Sequence, residues 1–519
     1  MKQSSYLIIK ISRILCSLIT LAMFCSIFLL PRGCQEIARL QFLPNCVRAT
    51  TVVAVVTFTS LSLLLLLTLV LGRLYCSFLC PLGVVQDIAI RLKKMIVRSK
   101  RRSSFTLNHR LLRYSFFAML VAAFVMGSAL PLGLFDPFSA FGRFGSAVLA
   151  PGFIWINNFL ADSSVVEMYP RAYAPFSLAV LLVGGGFLFV IFVVAFFWNR
   201  LFCNTLCPVG ALLGIFSRFS WYKIGFNSDA CIKCGKCAVV CKAGCIDYKN
   251  GIVDSERCVG CLNCLTVCSF NAISYMHKKL PDSVVKTPSR RAFMVIGGAS
   301  AVGAVLAPTV LCKGHDGNIP VMPPGAVDFK RFSSKCTACQ LCVSNCPGNV
   351  LKPASFQYGL GGFLQPRLDF DSGMCEFDCT VCSDICPSGA LITLSREKKQ
   401  VIQLGVAEFT RSRCIVKTDH THCGACAEHC PTGAVHMVPW RRGRGGRGGG
   451  RGRGNGEDSS LTIPQVEPEL CIGCGACEFV CPVLPIKAII VNGLRTHGIA
   501  EIGSSEQAVD HLEGQSFPF

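Results

Sequence analysis

The spacing of apolar and polar positions divides the chain into a greasy N-terminal part and a more polar remainder punctuated by cysteine. Residues 14–30, 52–71, about 111–132 and 176–198 are nearly unbroken apolar runs. Each approaches the roughly 20 helical residues that cross a hydrocarbon core of about 30 Å, and four membrane helices are predicted. The first run follows Lys2, Lys10 and Arg13 with no small-residue cleavage site after it, so it reads as an anchor and not a removable signal. A fifth, weaker run extends to Leu311 behind Ser289-Arg290-Arg291-Ala292-Phe293-Met294. A twin-arginine pair before such a run matches an export signal, here in mid-chain, and supplies a fifth span.

Charge orients these spans. Residues 91–113 carry Arg91, Lys93, Lys94, Arg98, Lys100, Arg101, Arg102, Arg110 and Arg113 with no acid, whereas 133–175 carry Arg143 and Arg171 against Asp136, Asp162 and Glu167. The positive-inside bias predicts a multi-pass protein of a bacterial cytoplasmic membrane, with the N-terminus, the basic loop and the segment after residue 199 in the cytoplasm. The fifth span then carries residues 312–519 outside. At 51% hydrophobic residues and a mean hydropathy of +0.50, the chain is too apolar for a soluble ferredoxin. The net charge of +21 lies largely in the basic loop and in an arginine–glycine tract at 441–456. That tract lacks interleaved aromatics and faces the exterior in this topology, so a solvated insertion is expected and no nucleic-acid partner.

The chemistry lies in cysteine, of which the chain has 34. Four quartets read C-x-x-C-x-x-C-x-x-x-C: Cys231, Cys234, Cys237, Cys241; Cys258, Cys261, Cys264, Cys268; Cys336, Cys339, Cys342, Cys346; and Cys471, Cys474, Cys477, Cys481. Two more are stretched at the front: Cys375, Cys379, Cys382, Cys386; and Cys414, Cys423, Cys426, Cys430. A [4Fe–4S] cube takes one thiolate per iron, three from a tight loop and the fourth from further along, so six clusters are expected. Cys241 and Cys268 are expected to be exchanged between the first two, as in two-cluster ferredoxins. Structural zinc joins two separated cysteine pairs and needs no third thiol two residues on, and disulfides need no such cadence. Pairing among the later four quartets, consecutive or nested, is left open by spacing.

Two spans end alike, in Gly72-Arg73-Leu74-Tyr75-Cys76-Ser77-Phe78-Leu79-Cys80-Pro81-Leu82-Gly83 and Asn199-Arg200-Leu201-Phe202-Cys203-Asn204-Thr205-Leu206-Cys207-Pro208-Val209-Gly210. Cysteines four apart share a helix face and the proline is expected to break the helix after them. Cys76, Cys80, Cys203 and Cys207 could hold a shared metal or cluster, act as two redox-active dithiols, or pack as small hydrophobes. Cys34 and Cys46 could form a disulfide on the outer loop.

The expected fold is an α-helical membrane domain, four spans plus a signal-anchor span, with α+β ferredoxin-like 2[4Fe–4S] domains. Its units are the helical domain 1–215, a cytoplasmic ferredoxin domain 225–278, the signal span 287–312, a linker 313–329 built on Pro320, Pro323, Pro324 and Gly325, an extracytoplasmic polyferredoxin 330–495, and a tail 496–519.

On these motifs the helical part and first ferredoxin pair resemble NapH-type membrane quinol dehydrogenase components, with similarity to parts of the NosR and CcoG accessory proteins. Residues 287–495 resemble the NapG and MauM ferredoxin-type proteins. The resemblance implies a fusion that carries electrons from quinol to an extracytoplasmic reductase or cytochrome, with membrane lipid and quinol as its other partners. Glu36, Gln41 and Asp136 are the candidates for the quinol head group. Lys242 stands where proline usually follows the fourth cysteine. No SGAT flavin-attachment sequence and no C-x-x-C-H occur, and all nine histidines lie outside the four spans, so neither covalent flavin nor haem is expected. A CcoG-like metal-reducing or assembly factor, and a scaffold that docks a partner through the arginine–glycine tract, are the rival readings.

Overall fold

The computed structural model describes residues 3–29, 36–50, 55–96, 110–162, 169–170, 177–227, 230–270, 272–277, 290–306, 319–440 and 461–501. Cys34, Cys312, the tract 441–456 and residues 502–519 lie outside the described residues.

The N-terminal part is helical: α1 (Gln3–Leu29), α2 (Glu36–Arg39), α3 (Phe42–Ala49), α4 (Val55–Leu71), α5 (Tyr75–Phe78), α6 (Pro81–Ile96), α7 (Arg110–Val125), α8 (Leu130–Phe135), α9 (Pro137–Phe144), α10 (Ala150–Asp162), α11 (Leu178–Val180), α12 (Phe187–Trp198), α13 (Leu201–Thr205) and α14 (Pro208–Ser217). Among the described residues three continuous helical stretches are long and apolar enough to cross a membrane, Tyr6–Leu29, Pro137–Asp162 and Leu178–Trp198, while Val55–Leu71 is shorter. Of the expected spans, 14–30 and 176–198 are among these three, while 52–71, 111–132 and the fifth, helical over Arg290–Leu306, are not. The run expected over 111–132 ends as a helix at Val125, and the following stretch, read as a loop, holds the 26-residue helix Pro137–Asp162. Arg143, several glycines and Pro151 disguise it. Its middle turn, Gly145–Leu149, and the facing segment Leu181–Gly186 are π-helical, a widening often found at functional positions.

Two cysteine-rich blocks of short antiparallel strand pairs follow. In the first, Tyr222–Phe226 pairs with Ile273–His277 and Ile246–Asp247 with Ile252–Val253 around α15 (Lys236–Val240). Helix α16 (Arg290–Leu306) packs along α7, and at Gly303 a Cβ would lie 2.3 Å from the Met119 carbonyl oxygen, so only glycine permits this approach. In the second block, Ile402–Phe409 pairs with Ile489–Ile499, Val435–Pro439 with Thr462–Val466, and Leu351–Pro353 with Pro366–Leu368. Two boundaries move. The expected linker is not loose, since Val321 and Met322 are buried in this block's core. The expected tail begins inside a strand, because Gly498 and Ile499 still pair with Gln403 and Ile402.

Both blocks rest on the helical part. The first packs its second quartet into one core with Cys76, Cys80, Cys203 and Cys207. The second sets Cys339, Leu341 and Cys342 against Phe24, Phe28, Phe138 and Phe141.

Candidate electron-transfer site

The thiols gather in fours. Cys268 shares a cavity with Cys231, Cys234 and Cys237, while Cys241 lies within electrostatic reach of Cys258, Cys261 and Cys264. The fourth cysteines are therefore exchanged as the sequence predicted. The same exchange settles the pairing that spacing left open. Cys386 stands near Cys336, Cys339 and Cys342; Cys346 shares a cavity with Cys375, Cys379 and Cys382; Cys481 joins Cys414, Cys423 and Cys426; and Cys430 acts on Cys471, Cys474 and Cys477. The later quartets thus pair consecutively. Burial pushes up the Cys375 thiol to about 11 and that of Cys426 to about 12. They become thiolates when a bound metal supplies the compensating charge. Among the described residues no three Cys, His, Asp or Glu side chains converge tightly enough for a single ion. One tetrahedral metal would draw its sulfurs to about 2.3 Å from itself, whereas a four-iron cube holds them further apart. The donor sets, four thiols each, fit [4Fe–4S] clusters.

Between the blocks stands the duplicated cysteine motif, and its local structure corrects the expected helix end. Cys76 lies in the four-residue α5, Cys80 closes the turn, and Pro81 opens α6; in the second copy Cys203 lies in α13, Cys207 caps α14 and Pro208 opens it. Proline at the first helical position loses no hydrogen bond, which is why it follows the cysteine. Gly83 and Gly210 are required by the same packing, for a Cβ there would meet the carbonyl oxygens of Cys76 at 2.3 Å and Cys203 at 2.2 Å. All four thiols are buried at 3–4% exposure and act on one another electrostatically.

The residues before each motif are exchanged between copies. Arg200 Nη1 donates to the Cys76 carbonyl at 2.9 Å, and Arg73 Nη2 donates to the Cys203 carbonyl at 3.4 Å while lying 3.8 Å from Cys76 Sγ. Arg200 also meets Asp87 Oδ1 at 2.7 Å. These arginines were quoted within the repeat but given no role; their recurrence three residues before the first cysteine was the available signal. The first block is held to the same surface. Ser77 Oγ donates to the Val259 carbonyl at 2.6 Å, Arg73 Nη1 to that of Glu256 at 2.7 Å and Asn204 Nδ2 to that of Ala243 at 3.1 Å. Cys245, a cysteine outside the quartets, is buried 3.5 Å from Cys241 Sγ.

Of the expected quinol residues, Gln41 and Asp136 come together in one buried layer. Tyr75 Oη donates to Gln41 Oε1 at 2.8 Å and accepts from Phe42 N at 3.3 Å. Asp136 is within electrostatic reach of Tyr75, Cys46 and Cys339. Its Oδ2 accepts from Ser139 N at 2.8 Å and Ser139 Oγ at 2.7 Å, capping α9. Glu36 opens α2, and its side chain lies outside the described residues. On the far side of this layer, Arg143 donates to the carbonyls of Leu134 at 2.8 Å and Ala338 at 3.4 Å. Gly133 and Gly142 admit the third quartet's backbone, since a Cβ would lie 2.5 Å from the Thr337 oxygen and 2.4 Å from that of Cys339. The thiol groups therefore form a row. From the first block it passes through the duplicated motif, the Tyr75–Gln41–Asp136 layer and the third quartet. It then reaches the Cys375 group, which touches the Cys471 group through Cys375 N to the Cys474 carbonyl at 2.9 Å.

Thiol quartets on short loops beside paired strands define a ferredoxin-type electron carrier. Family models of 4Fe–4S binding domains match residues 53–103 and 180–227, 228–244 and 252–274, and a 4Fe–4S dicluster model matches 335–390 and 406–484. The chain is 31% identical over 202 residues to the ferredoxin-type protein NapG of Escherichia coli, covering 38% of this chain and 79% of that protein. It is 31% identical over 205 residues to the methylamine utilization ferredoxin-type protein MauM of Methylobacillus flagellatus, 37% of this chain and 77% of that one. With NapF of Escherichia coli the figures are 28% over 168 residues, 32% and 84%. The chain belongs to the family of NapG- and MauM-type ferredoxin proteins. No solved structure matches it.

Proposed function

We propose that the chain is a NapH–NapG-like fusion in the cytoplasmic membrane that passes electrons from quinol to an extracytoplasmic reductase through six [4Fe–4S] clusters, with a seventh centre at Cys76, Cys80, Cys203 and Cys207. The 4Fe–4S binding domain match over both copies of the cysteine motif supports that seventh centre. When bound, the clusters supply one-electron redox chemistry. The chain's residues bring the donor groups together and exclude water from the duplicated motif. Gln41 is the group that would hydrogen-bond the quinol head, and Asp136 the carboxylate that would take a proton from it.

The observation that carries this reading is the short span between the docking surfaces. On α1, Arg13 faces Asp87 beside the first block, and Phe24 packs beneath the second block's Leu341. Eleven helical residues separate them, about 16 Å of rise. That is roughly half a hydrocarbon core, with the duplicated motif in between.

The test is chemical analysis of anaerobically purified full-length chain. About 28 iron atoms with equal acid-labile sulfide are expected, against about 24 if the duplicated motif holds none, and quinol should bleach the cluster absorbance. A colourless protein, or one that quinol leaves oxidised, overturns the proposal.

A further inference from the structure

A cavity of about 230 Å³ opens between α1 and α6, on the side of the helical part where the first block docks. Five cationic side chains line it, Lys10, Arg13, Arg91, Lys94 and Lys242, against the single carboxylate of Asp87. That carboxylate is already committed, to Arg200 at 2.7 Å and Lys242 at 2.5 Å. Arg13 is only 2% exposed, reaches Asp87 no closer than 3.5 Å, and its Nε meets no acceptor among the described residues. A buried guanidinium left in this state costs free energy unless a further anion completes its hydrogen bonds.

The cavity is two-natured. Its cations gather at the end where α1 begins and α6 finishes, and Leu18 and Ile88, also in its wall, are 49% and 45% exposed. A small soluble anion would satisfy the first feature and leave the second unexplained. We infer that this cavity is a binding site for an anionic phospholipid, its phosphate held by Arg13, Arg91 and Lys94 and its acyl chains along Leu18 and Ile88. Basic pockets between helices at the cytoplasmic face suit such head groups. The site adjoins the second thiol group, because Asn263 between Cys261 and Cys264 also lines it. Bound lipid therefore places a negative charge beside one station of the row and fastens α6, which carries Asp87, to α1.

This inference rests on the membrane reading above. The experiment is lipid retention by the full-length holoprotein in detergent, followed by native mass spectrometry with phosphatidylglycerol or phosphatidylcholine of matched chains, and in a third arm with inorganic phosphate. Phosphatidylglycerol should be retained about tenfold over phosphatidylcholine, and the double variant Arg91→Gln/Lys94→Gln should lose about that factor. Lys249→Gln, on an exposed turn of the first block, should lose nothing. Equal retention of both lipids, an unaffected double variant, or inorganic phosphate that binds alone and displaces the lipid would overturn the site. A chain that stays in the aqueous phase without detergent would overturn the membrane reading as well, so the two failures are told apart.

Discussion

The helical part meets its two ferredoxin blocks in different ways. Towards the first block it offers side chains: Arg73, Arg113, Arg200, Ser77 and Asn204 reach across to carbonyl oxygens or brace the carbonyls beneath them. Towards the second it offers mostly backbone, with Gly133 and Gly142 under Thr337 and Cys339, pinned by Arg143 on the Ala338 carbonyl and Arg39 on that of Asp384. The first surface spends buried charge on fixing a cysteine geometry that two distant segments must build together. The second needs only closeness. Arg73, Arg113, Arg143 and Arg200 are among the largest fully buried side chains; each donates to carbonyl oxygens, and Arg200 adds the Asp87 carboxylate, which helps a charge survive inside such a layer.

The strongest way to break the comparison is to remove the thiols between the surfaces. Cys80→Ser with Cys207→Ser should abolish quinol-driven reduction of the second block while dithionite still reduces both blocks, as followed by electron paramagnetic resonance; equal quinol-driven rates would place the path elsewhere. Next in size, Arg200→Ala takes from the largely buried Asp87 the partner that holds it with two hydrogen bonds and leaves the Cys76 and Gly83 carbonyls unpaired. A loss of about 3–5 kcal/mol is expected, measured as a lowered denaturation midpoint of the helical part and first block. Gly142→Ala acts on the other surface only. Its Cβ would sit against the Cys339 oxygen, costing about 1–3 kcal/mol, and hydrogen exchange should rise at 336–346 and not at 258–268.

The smallest expected effect is in pH. Burial holds the His497 imidazole down to about 4 from its ordinary 6.5. A histidine depressed in this way binds more protons when unfolded, so its contribution is present above about 6.5 and lost as pH falls towards 4. Opposite it, burial raises the Asp87 carboxyl, but Arg200 and Lys242 outweigh that and hold it below its ordinary 3.8. Its contribution persists until the pH falls below that value. Mild acid should therefore loosen the second block before the first, and His497→Gln should remove the difference in a fluorescence titration.

Much of this was legible in the chain. A cube's demand for three thiols in one loop and one beyond is a local constraint, so the quartets and the exchange of Cys241 with Cys268 could be read directly. Pairing among the later quartets depends on how the strands close, which spacing does not encode. Helix Pro137–Asp162 was missed because Arg143 looks like a loop residue until its carbonyl partners, those of Gly133, Leu134 and Ala338, are brought into place by folding and by the other block. Tyr75 was likewise invisible as a bridge to Gln41, since the two are 34 positions apart and meet only through α3 and α5.

One further consequence lies in the order of the row. The group built on Cys471, Cys474 and Cys477 follows all the other quartets along the chain, yet it abuts the Cys375 group and shares its pair of strands with the group at Cys414. A chain cut ahead of Cys471 would therefore not be a shorter wire with a usable end. It would lose that link and, with Cys481, the fourth thiol of the Cys414 group, so two neighbouring stations would fail together.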